Sequence, residues 1–380
     1  MQIALRTFLI PQSRMLKQFT IRVNWGVLLC TFPFILPAQL VEQFTLIPPS
    51  ANRQELSKYS NILSIEKSTK GFYVLTKKSG CFLINEQSQS SIKSIVSPDN
   101  RRDYFLDLIP NDHTVSVWAN GHEIMPLNTK SDERLPYSSS YFSETVQTNS
   151  ITIDKKGTVY VGTKKDGLFI FSQDEWGNYT ELARRVSSFD QELPSNNIQC
   201  IYKDTNGVIW VGTDKGLASI TDGKVKNLSF AERLPKSKWA RFWGRPPTPP
   251  VFAEPVDAIV SWGNCVLMAN ENGLYKVSVI QDSLQHLSYY NFSEKLSAPL
   301  SEIKEMMVDI DGNLWIAANH LIHYNITTDK LTEVSNLHTF KGQGFLSLAE
   351  DIKNNKILIG TNRGGLYQIN YQDLSLGLNW

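Results

Sequence analysis

The sequence predicts an all-β protein, because short apolar runs recur along its 380 residues and tight turns rich in Asp, Asn and Gly separate them. The clearest stretch covers residues 195–220, where Asn206-Gly207 is a strong hairpin dipeptide because both positions tolerate positive φ. The run at residues 208–211 is β-branched and aromatic without alternation, which is typical of a strand covered on both faces. A small sheet of this kind can bury both of its faces only by packing against further copies of itself.

Similar stretches occur near residues 60–84, 103–124, 150–171, 256–278, 301–326 and 344–370, in addition to residues 196–220. The residue that ends the second strand of each copy is Thr76, Asn120, Thr163, Thr213, Asn270, Asn319 or Thr361. Successive residues in this series are 44, 43, 50, 57, 49 and 42 positions apart. This period predicts a single seven-bladed β-propeller of four-stranded antiparallel blades over residues 40–375.

The last copy supplies three strands, up to Tyr371, and one strand is then missing from its blade. Residues 43–47 alternate in polarity before Pro48-Pro49. We therefore expect this N-terminal strand to complete the seventh blade and close the ring, because an open ring would expose unpaired strand edges.

The repeat combines an Asp-x-x-Gly turn, an apolar-Trp-apolar-Gly-Thr strand and a Gly-Leu strand start, preceded by Leu193-Pro194-Ser195-Asn196-Asn197-Ile198. This pattern resembles the two-component regulator propeller repeat over about residues 60–370. The resemblance implies the extracytoplasmic sensor of a bacterial hybrid histidine kinase, which often receives polysaccharide fragments and signals through the membrane. The sequence ends at Trp380 without a second propeller, linker domain, membrane helix or kinase. A truncated or split gene product and a free-standing propeller are the two alternatives.

The N-terminus predicts export. Basic residues precede an apolar run at residues 27–38, which is too short to span a bilayer, and Ala38 offers a cleavage site. We expect residues 1–38 to be a signal peptide, with Met15 as an alternative start that gives a more compact signal, and the mature chain to be periplasmic or at the cell surface with no membrane span. A lipoprotein role for Cys30 is disfavoured by the bulky Leu28-Leu29 before it.

Charge is balanced, with 38 basic and 37 acidic residues, which argues against nucleic-acid binding. Three cysteines besides Cys30 fall within or beside predicted strands, and we interpret Cys81, Cys200 and Cys265 as small apolar residues of packed sheets.

Two patterns invite a metal interpretation. The Asp-x-x-Gly turns at Asp154, Asp204 and Asp309 suggest calcium, but the distal Glu of an EF-hand-like loop is missing and an Asp capping its own turn explains them. His320 and His323 are three residues apart and should point to opposite faces of a strand, without an accompanying carboxylate or Cys. We expect no bound metal and no cofactor.

No nucleophile-elbow, HExxH or phosphate-binding motif occurs in the sequence, so catalytic residues are not predicted. In a propeller, the loops entering the innermost strands and those between second and third strands lie on one face. A Pro-, Trp- and Arg-rich insert at residues 231–255, between the fourth and fifth blades, should join them. The predicted ligand-binding residues are Lys77, Lys164, Lys165, Asn196, Asn197, Asp214, Lys215, Trp239, Arg241, Trp243, Glu271, Asn272, His320 and Arg363.

Cations and amides beside aromatic rings suit a polyol or an acidic sugar. The competing interpretation is that these loops are simply solvated and that the tryptophans pack onto the disc. The sequence thus predicts an exported sensory propeller that binds a carbohydrate or other small ligand and cooperates with a membrane-anchored histidine kinase or a neighbouring propeller. An exported lyase or hydrolase on the same fold and a scaffold without a small ligand are the alternatives.

Overall fold

The structure is a computed structural model of the chain, and the protein is described here over part of its length. The described residues are 21–23, 26–28, 45–46, 61–68, 71–77, 80–85, 92–96, 104–108, 115–120, 123–128, 133–134, 146–176, 178–179, 181–228, 254–280, 283–292, 295–334 and 344–370.

Nearly all regular structure in these residues is β-strand, with one short 3₁₀ helix at Ile352–Asn354. The strands are β1 (Ile21–Val23), β2 (Gly26–Leu28), β3 (Thr45–Leu46), β4 (Ile62–Ser68), β5 (Gly71–Thr76), β6 (Gly80–Asn85), β7 (Ile92–Val96), β8 (Tyr104–Leu108), β9 (Val115–Asn120), β10 (Glu123–Asn128), β11 (Glu133–Arg134), β12 (Thr148–Ile153), β13 (Val159–Thr163), β14 (Leu168–Ser172), β15 (Glu181–Val186), β16 (Ile198–Lys203), β17 (Ile209–Thr213), β18 (Gly216–Thr221), β19 (Lys224–Asn227), β20 (Ala258–Trp262), β21 (Cys265–Asn270), β22 (Gly273–Ile280), β23 (Ser283–Tyr290), β24 (Glu305–Val308), β25 (Leu314–Ala317), β26 (Leu321–Asn325), β27 (Lys330–Glu333), β28 (Phe345–Asp351), β29 (Lys356–Thr361) and β30 (Leu366–Asn370).

Antiparallel pairing arranges these strands as an all-β propeller, which confirms the predicted fold class. Apart from the β1–β2 hairpin, each sheet has four strands in the order first to fourth. Sheet one is β4 to β7, sheet two β8 to β11, sheet three β12 to β15, sheet four β16 to β19, sheet five β20 to β23, sheet six β24 to β27, and sheet seven β28, β29, β30 and β3.

The first strands of the sheets form the centre of the arrangement. Each of β4, β8, β12, β16, β20, β24 and β28 contacts the first strand of the next sheet, and β28 contacts β4. The hydrophobic core is correspondingly divided among the gaps between neighbouring sheets. In the gap between sheets four and five, for example, Trp210 packs with Val256, Ile259, Met268 and Tyr275. Another cluster joins Leu358 of sheet seven to Ile62 of sheet one.

Second strands are sandwiched between two such gaps. Every residue of β13 and β17 is buried, and so is every residue of β5 and β25. A strand with both faces covered has no polar face to alternate, which explains the uninterrupted apolar run that the sequence shows there.

The Asp-x-x-Gly turn between the first and second strands is built by its own carboxylate. Asp204 Oδ1 accepts the backbone N–H groups of Asn206 and Val208, both at 2.9 Å, while its Oδ2 accepts the Trp210 indole N–H at 3.1 Å. Gly207 closes the turn with φ of 88°, a left-handed conformation that favours glycine. The Asp, Gly and Trp of the repeat are therefore one hydrogen-bonded unit.

The Gly-Thr pair at the end of the second strand has two structural tasks. A Cβ on Gly212 would lie 2.6 Å from Cys200 Sγ and 2.6 Å from the Val256 carbonyl oxygen, so only glycine allows this approach of sheets four and five. Thr213 Oγ1 donates to the Gly216 carbonyl at 2.9 Å and accepts the Lys215 N–H at 3.1 Å. The threonine thereby fixes the turn that follows.

Several neighbouring first strands are also linked by side chains. Asn149 donates to the Ile198 carbonyl at 2.8 Å, and Glu305 accepts the Leu348 N–H at 2.9 Å. Ser347 Oγ donates to the Ile62 carbonyl at 3.4 Å, which joins sheet seven to sheet one. These bonds satisfy backbone groups that face the next sheet, where no β-ladder is available.

Two N-terminal segments bear on the predictions. The β1–β2 hairpin lies inside residues 1–38, where the signal peptide is predicted. In sheet seven, β3 pairs with β30 through Thr45 opposite Gln368 and Leu46 opposite Tyr367. Among the described residues, no helix has the length and apolar character needed to cross a membrane.

Candidate functional site

The predicted loops do lie on one face of the propeller. In five sheets, the first or second residue after the second strand donates its backbone N–H to the segment that enters the first strand. These bonds are Lys77 to Asn61 at 3.0 Å, Lys164 to Gln147 at 3.0 Å, Asp214 to Asn197 at 3.2 Å, Asn319 to Ser301 at 3.1 Å and Asn362 to Gly344 at 3.0 Å. We call this side the loop face and the opposite side, which carries the turns between first and second strands, the hairpin face.

Six of the predicted residues come together on the loop face of sheets three and four. The Gly167 N–H donates to the Asn196 carbonyl at 3.1 Å, which places the turn after β13 against the segment entering β16. The Asp214–Asn197 bond adds the turn after β17. The result is a continuous polar surface formed by Lys164, Lys165, Asn196, Asn197, Asp214 and Lys215, which we call the Lys–Asn surface.

The cations of the Lys–Asn surface are available for a partner. Lys164, Lys165 and Lys215 are exposed, and within the described part of the chain none of their ammonium groups forms an ion pair or a hydrogen bond. Asp166, in the same turn as two of them, instead pairs with Arg185 at 3.4 Å. Three unpaired ammonium groups on two neighbouring turns create a local excess of positive charge.

Asp214 is the unusual acidic group of this surface. Its Oδ1 is buried and has no hydrogen-bond partner among the described residues. A buried polar atom without a partner costs about 1 to 3 kcal/mol and calls for an explanation. A hydroxyl or amide of a bound ligand could supply the missing donor.

Asn196 and Asn197 contribute differently. The Asn196 side-chain oxygen accepts the Ser188 N–H at 2.7 Å, so this residue mainly holds the loop in place. Asn197 uses its backbone for the bond to Asp214, and its side-chain amide makes no hydrogen bond within the described part of the chain. Asn197 therefore has the free amide that the sequence interpretation assigned to both residues.

Polar side chains of sheet five form hydrogen bonds with Glu254, a residue that precedes the sheet. Glu254 Oε2 accepts the Asn270 and Asn272 amides at 3.1 Å each and the Tyr275 hydroxyl at 2.9 Å. Burial, followed by the bond to Glu254, raises the pKa of Tyr275. Of the two predicted residues here, Glu271 is exposed but Asn272 belongs to this network. Nearby, burial and then the charge of Glu271 raise the pKa of Asp257.

His320 is held within sheet six. Its Nδ1 lies 2.7 Å from Glu333 Oε1, and Glu333 also accepts the Ser297 N–H and hydroxyl. Burial by itself would raise the pKa of Glu333, but the two Ser297 bonds and His320 outweigh it, so the pKa is lowered. His323 instead packs its ring 4.7 Å from that of Trp315, and burial lowers its pKa. The two histidines do not converge.

The remaining predicted residues are spread around or beyond the loop face. Lys77 and Arg363 are exposed at the same turn in sheets one and seven. Trp239, Arg241 and Trp243 lie outside the described residues. Of the described residues near the ends of the insert, Leu228 donates its N–H to the Leu217 carbonyl at 2.9 Å, and Glu254 accepts the Tyr275 hydroxyl of sheet five.

The possible metal positions have a structural explanation. In the Asp309 turn, Oδ1 accepts the Asn313 N–H at 2.8 Å and Oδ2 accepts the Trp315 indole N–H at 2.9 Å. Asp154 similarly accepts two backbone N–H groups, both at 2.8 Å. Within the described ranges, no three His, Cys, Asp or Glu residues are grouped to share a metal ion.

Two exposed aromatic side chains were missed from the sequence. Phe189, on the loop face, exposes 86% of its surface, and Trp176, at the turn between β14 and β15, exposes 78%. The available signal was an aromatic residue inside a run of turn formers, Ser187-Ser188-Phe189-Asp190-Gln191, where an apolar side chain has no neighbouring strand to cover it.

The repeat is similar to a known protein family. Residues 192–215 match the family model for the two component regulator propeller. That match covers the segment from Glu192 to Lys215 and confirms the resemblance predicted from the repeat pattern. No curated protein sequence matches the chain.

Solved structures give the same fold. Two structures of the extracellular domain of BT4673 from B. thetaiotaomicron, described in one as a one component and in the other as a hybrid two component system, superimpose with TM-scores of 0.61 and 0.60 at 17% identity, over 87% of this chain and 40% of those chains. The extracellular domain of the hybrid two component system BT3049 from the same organism gives 0.61 at 17% identity, over 89% and 42%. The chain thus spans about two fifths of the length of these extracellular domains, and at this identity the likeness establishes the fold.

Proposed function

We propose that this chain is the ligand-binding propeller of an exported sensor of the two-component type. The supporting observation is that the segment matching the family model, residues 192–215, also carries Asn196, Asn197, Asp214 and Lys215. Of these, Asn197, Asp214 and Lys215 have polar groups that the fold does not use, and they lie in the segment that matches the sensor family. The extracellular neighbours and the predicted signal peptide support export.

We further propose that the ring has seven blades and is closed by the N-terminal strand β3. The pairing of β3 with β30 and the contact of β28 with β4 support this arrangement. A Leu46→Pro variant, which removes a backbone donor opposite Tyr367, should lower the midpoint of urea unfolding. An unchanged midpoint would count against closure by this strand.

The proposed ligand is a glycan-like molecule carrying an anionic group. Ammonium groups of Lys164, Lys165 and Lys215 would bind a carboxylate or sulfate through charge-assisted hydrogen bonds. The Asn197 amide and Asp214 Oδ1 would then exchange hydrogen bonds with sugar hydroxyls. A ligand hydroxyl that donates to Asp214 would form a new hydrogen bond. It would also remove the energetic penalty of the unpartnered oxygen.

Calorimetric titration with acidic and neutral oligosaccharides tests this proposal. Replacing Lys164, Lys165 and Lys215 together by Ala should abolish binding of the acidic oligosaccharide. The matched control replaces Lys156, Lys224 and Lys330, three exposed lysines at turns of the hairpin face, and should bind normally. Equal losses in both variants, or no binding of any acidic oligosaccharide to the unmodified protein, would contradict the proposal.

The proposed role is reception, with the signal passed to a membrane-anchored histidine kinase or through a neighbouring propeller. We propose no catalytic step. Incubating the protein with a bound oligosaccharide should therefore return the oligosaccharide unchanged. Cleavage products that disappear in an Asp214→Asn variant would instead indicate a lyase or hydrolase.

A further inference from the structure

We infer that Phe189 is a stacking platform for a sugar ring, placed beside the Lys–Asn surface. This inference rests on the proposed function and narrows the ligand to a saccharide that offers both an apolar ring face and a carboxylate or sulfate. The first observation is exposure. With 86% of its surface in solvent, Phe189 contributes almost nothing to the core.

The second observation is that the turn carrying Phe189 is held in place. Ser187 Oγ donates to Asp190 Oδ2 at 2.6 Å, and the Gln191 N–H donates to the Ser188 carbonyl at 3.1 Å. Gln191 has a positive φ of 61°, and Leu193 is buried at the base of the turn. These contacts fix the backbone on either side of Phe189, and that backbone presents the ring at the loop face.

The connection two sheets further on also contains a Phe, and there the ring is part of the core. Phe292, in the segment joining sheet five to sheet six, precedes Leu296 by four residues, just as Phe189 precedes Leu193. Phe292 is 2% exposed, and its ring lies edge-on to Tyr324 with the centroids 5.4 Å apart. The repeat can therefore bury this aromatic ring, and at Phe189 it does not.

The third observation is position. Ser188, the residue before Phe189, donates its N–H to the Asn196 side chain at 2.7 Å. A Cβ on Gly167 would touch the Val186 carbonyl, so the turn of Lys164 and Lys165 packs against the start of the Phe189 turn. An aromatic ring and unpaired ammonium groups thus occupy adjoining turns of one face.

This combination fits an acidic saccharide. Aromatic rings are rigid, and they cover an apolar surface at little cost in conformational entropy. One face of a pyranose ring presents C–H groups that can stack on Phe189, while its anionic substituent reaches the lysines. Neither group alone would distinguish an acidic sugar from a simple anion or from a neutral sugar.

The test is calorimetric titration with three probes, namely trigalacturonate, a chondroitin sulfate tetrasaccharide and neutral maltotriose. For the acidic probe that binds, Phe189→Ala should raise Kd by about tenfold, as expected for loss of one stacked ring. Phe189→Tyr should retain binding because it keeps the ring. Trp176→Ala is the matched control, since it removes an equally exposed aromatic ring from the hairpin face, and it should leave Kd unchanged.

The outcomes separate this inference from the proposed function. Binding that is lost in the triple lysine variant but unchanged in Phe189→Ala would overturn the platform and leave the Lys–Asn surface intact. Equal weakening by Trp176→Ala would also overturn it. If neither acidic probe binds, or maltotriose binds as well as they do, both the platform and the acidic-glycan proposal fail. Because Phe189 is exposed, the Ala variant should fold normally, with the same midpoint of urea unfolding as the unmodified protein.

Discussion

Asp204 and Asp214 stand at opposite ends of the same strand, β17, and their environments are opposite as well. Both carboxylate oxygens of Asp204 accept hydrogen bonds, from two backbone N–H groups and from the Trp210 indole. Asp214 has a buried oxygen with no partner in the described structure. One aspartate builds the blade, and the other retains a free acceptor at the loop face.

The same division holds across the repeats. Asp154 and Asp309 repeat the bonding of Asp204, with backbone N–H groups on Oδ1 and an aromatic donor on Oδ2. The position of Asp214, directly after the second strand, is occupied by Lys77, Lys164 and Asn362 in other sheets. Residues common to the copies are used in construction, whereas Lys164, Asp214 and Lys215, at positions that vary, keep side-chain polar groups without a partner among the described residues.

The largest expected effect is a loss of stability when the aspartate that builds a turn is removed. Asp309→Ala should lower the free energy of unfolding by about 3 kcal/mol, because it leaves the buried Trp315 N–H and a backbone N–H without acceptors. Asp311→Ala, two residues away and exposed, should change it by less than about 0.5 kcal/mol. Urea unfolding of both variants measures the difference, and similar values would show that the turn carboxylate is not structural.

A second prediction contrasts two glycines of sheet four. Gly212→Ala should cost about 2 kcal/mol, because its methyl group would press on Cys200 and Val256. Gly207→Ala meets no atom within 4 Å and should cost only about 1 kcal/mol, from its positive φ. If Gly207→Ala proves the more costly change in urea unfolding, close packing between sheets is not the reason for the Gly-Thr pair.

The third and smallest effect is a pH dependence from two carboxyl groups shifted in opposite directions. The lowered pKa of Glu333 adds stability above its unfolded value of about 4.3, which is lost as the pH falls through its folded pKa. Asp257 has a raised pKa, so its contribution is present below about pH 3.9 and is lost as the pH rises through the folded pKa.

Unfolding free energies measured from pH 3.5 to 7 in two variants separate these contributions. Glu333→Gln should flatten the acid side of the profile, and Asp257→Asn should remove the decline with rising pH. A profile that neither substitution alters would contradict both assignments.

The fold was largely predictable because its local signals are redundant. Asp204, Gly207, Trp210, Gly212 and Thr213 each have a turn or packing task that recurs in other copies, and the recurrence itself gives the period. The common placement of the entering loops and the turns after second strands followed from propeller geometry and is confirmed by the backbone bonds between them.

The site was less predictable because it depends on side-chain pairing. The sequence gives no means to foresee that Asn272 joins the Glu254 network or that His320 pairs with Glu333, since those partners are 18 and 13 residues away in the chain. Phe189 was missed for a related reason. An aromatic residue in a turn is ordinarily buried, as Phe292 is, and only the packed structure reveals the exception.

The most direct test of the division between construction and binding compares Asp204→Ala with Asp214→Ala in both stability and binding. Asp204→Ala should lower the free energy of unfolding by about 1.5 to 3 kcal/mol and leave the Kd for an acidic oligosaccharide unchanged. Asp214→Ala should not lower the stability, because the oxygen it removes is buried without a partner, and it should raise that Kd by about tenfold through loss of one hydrogen bond to a charged group. Equal losses of stability, or unchanged binding by Asp214→Ala, would contradict the account.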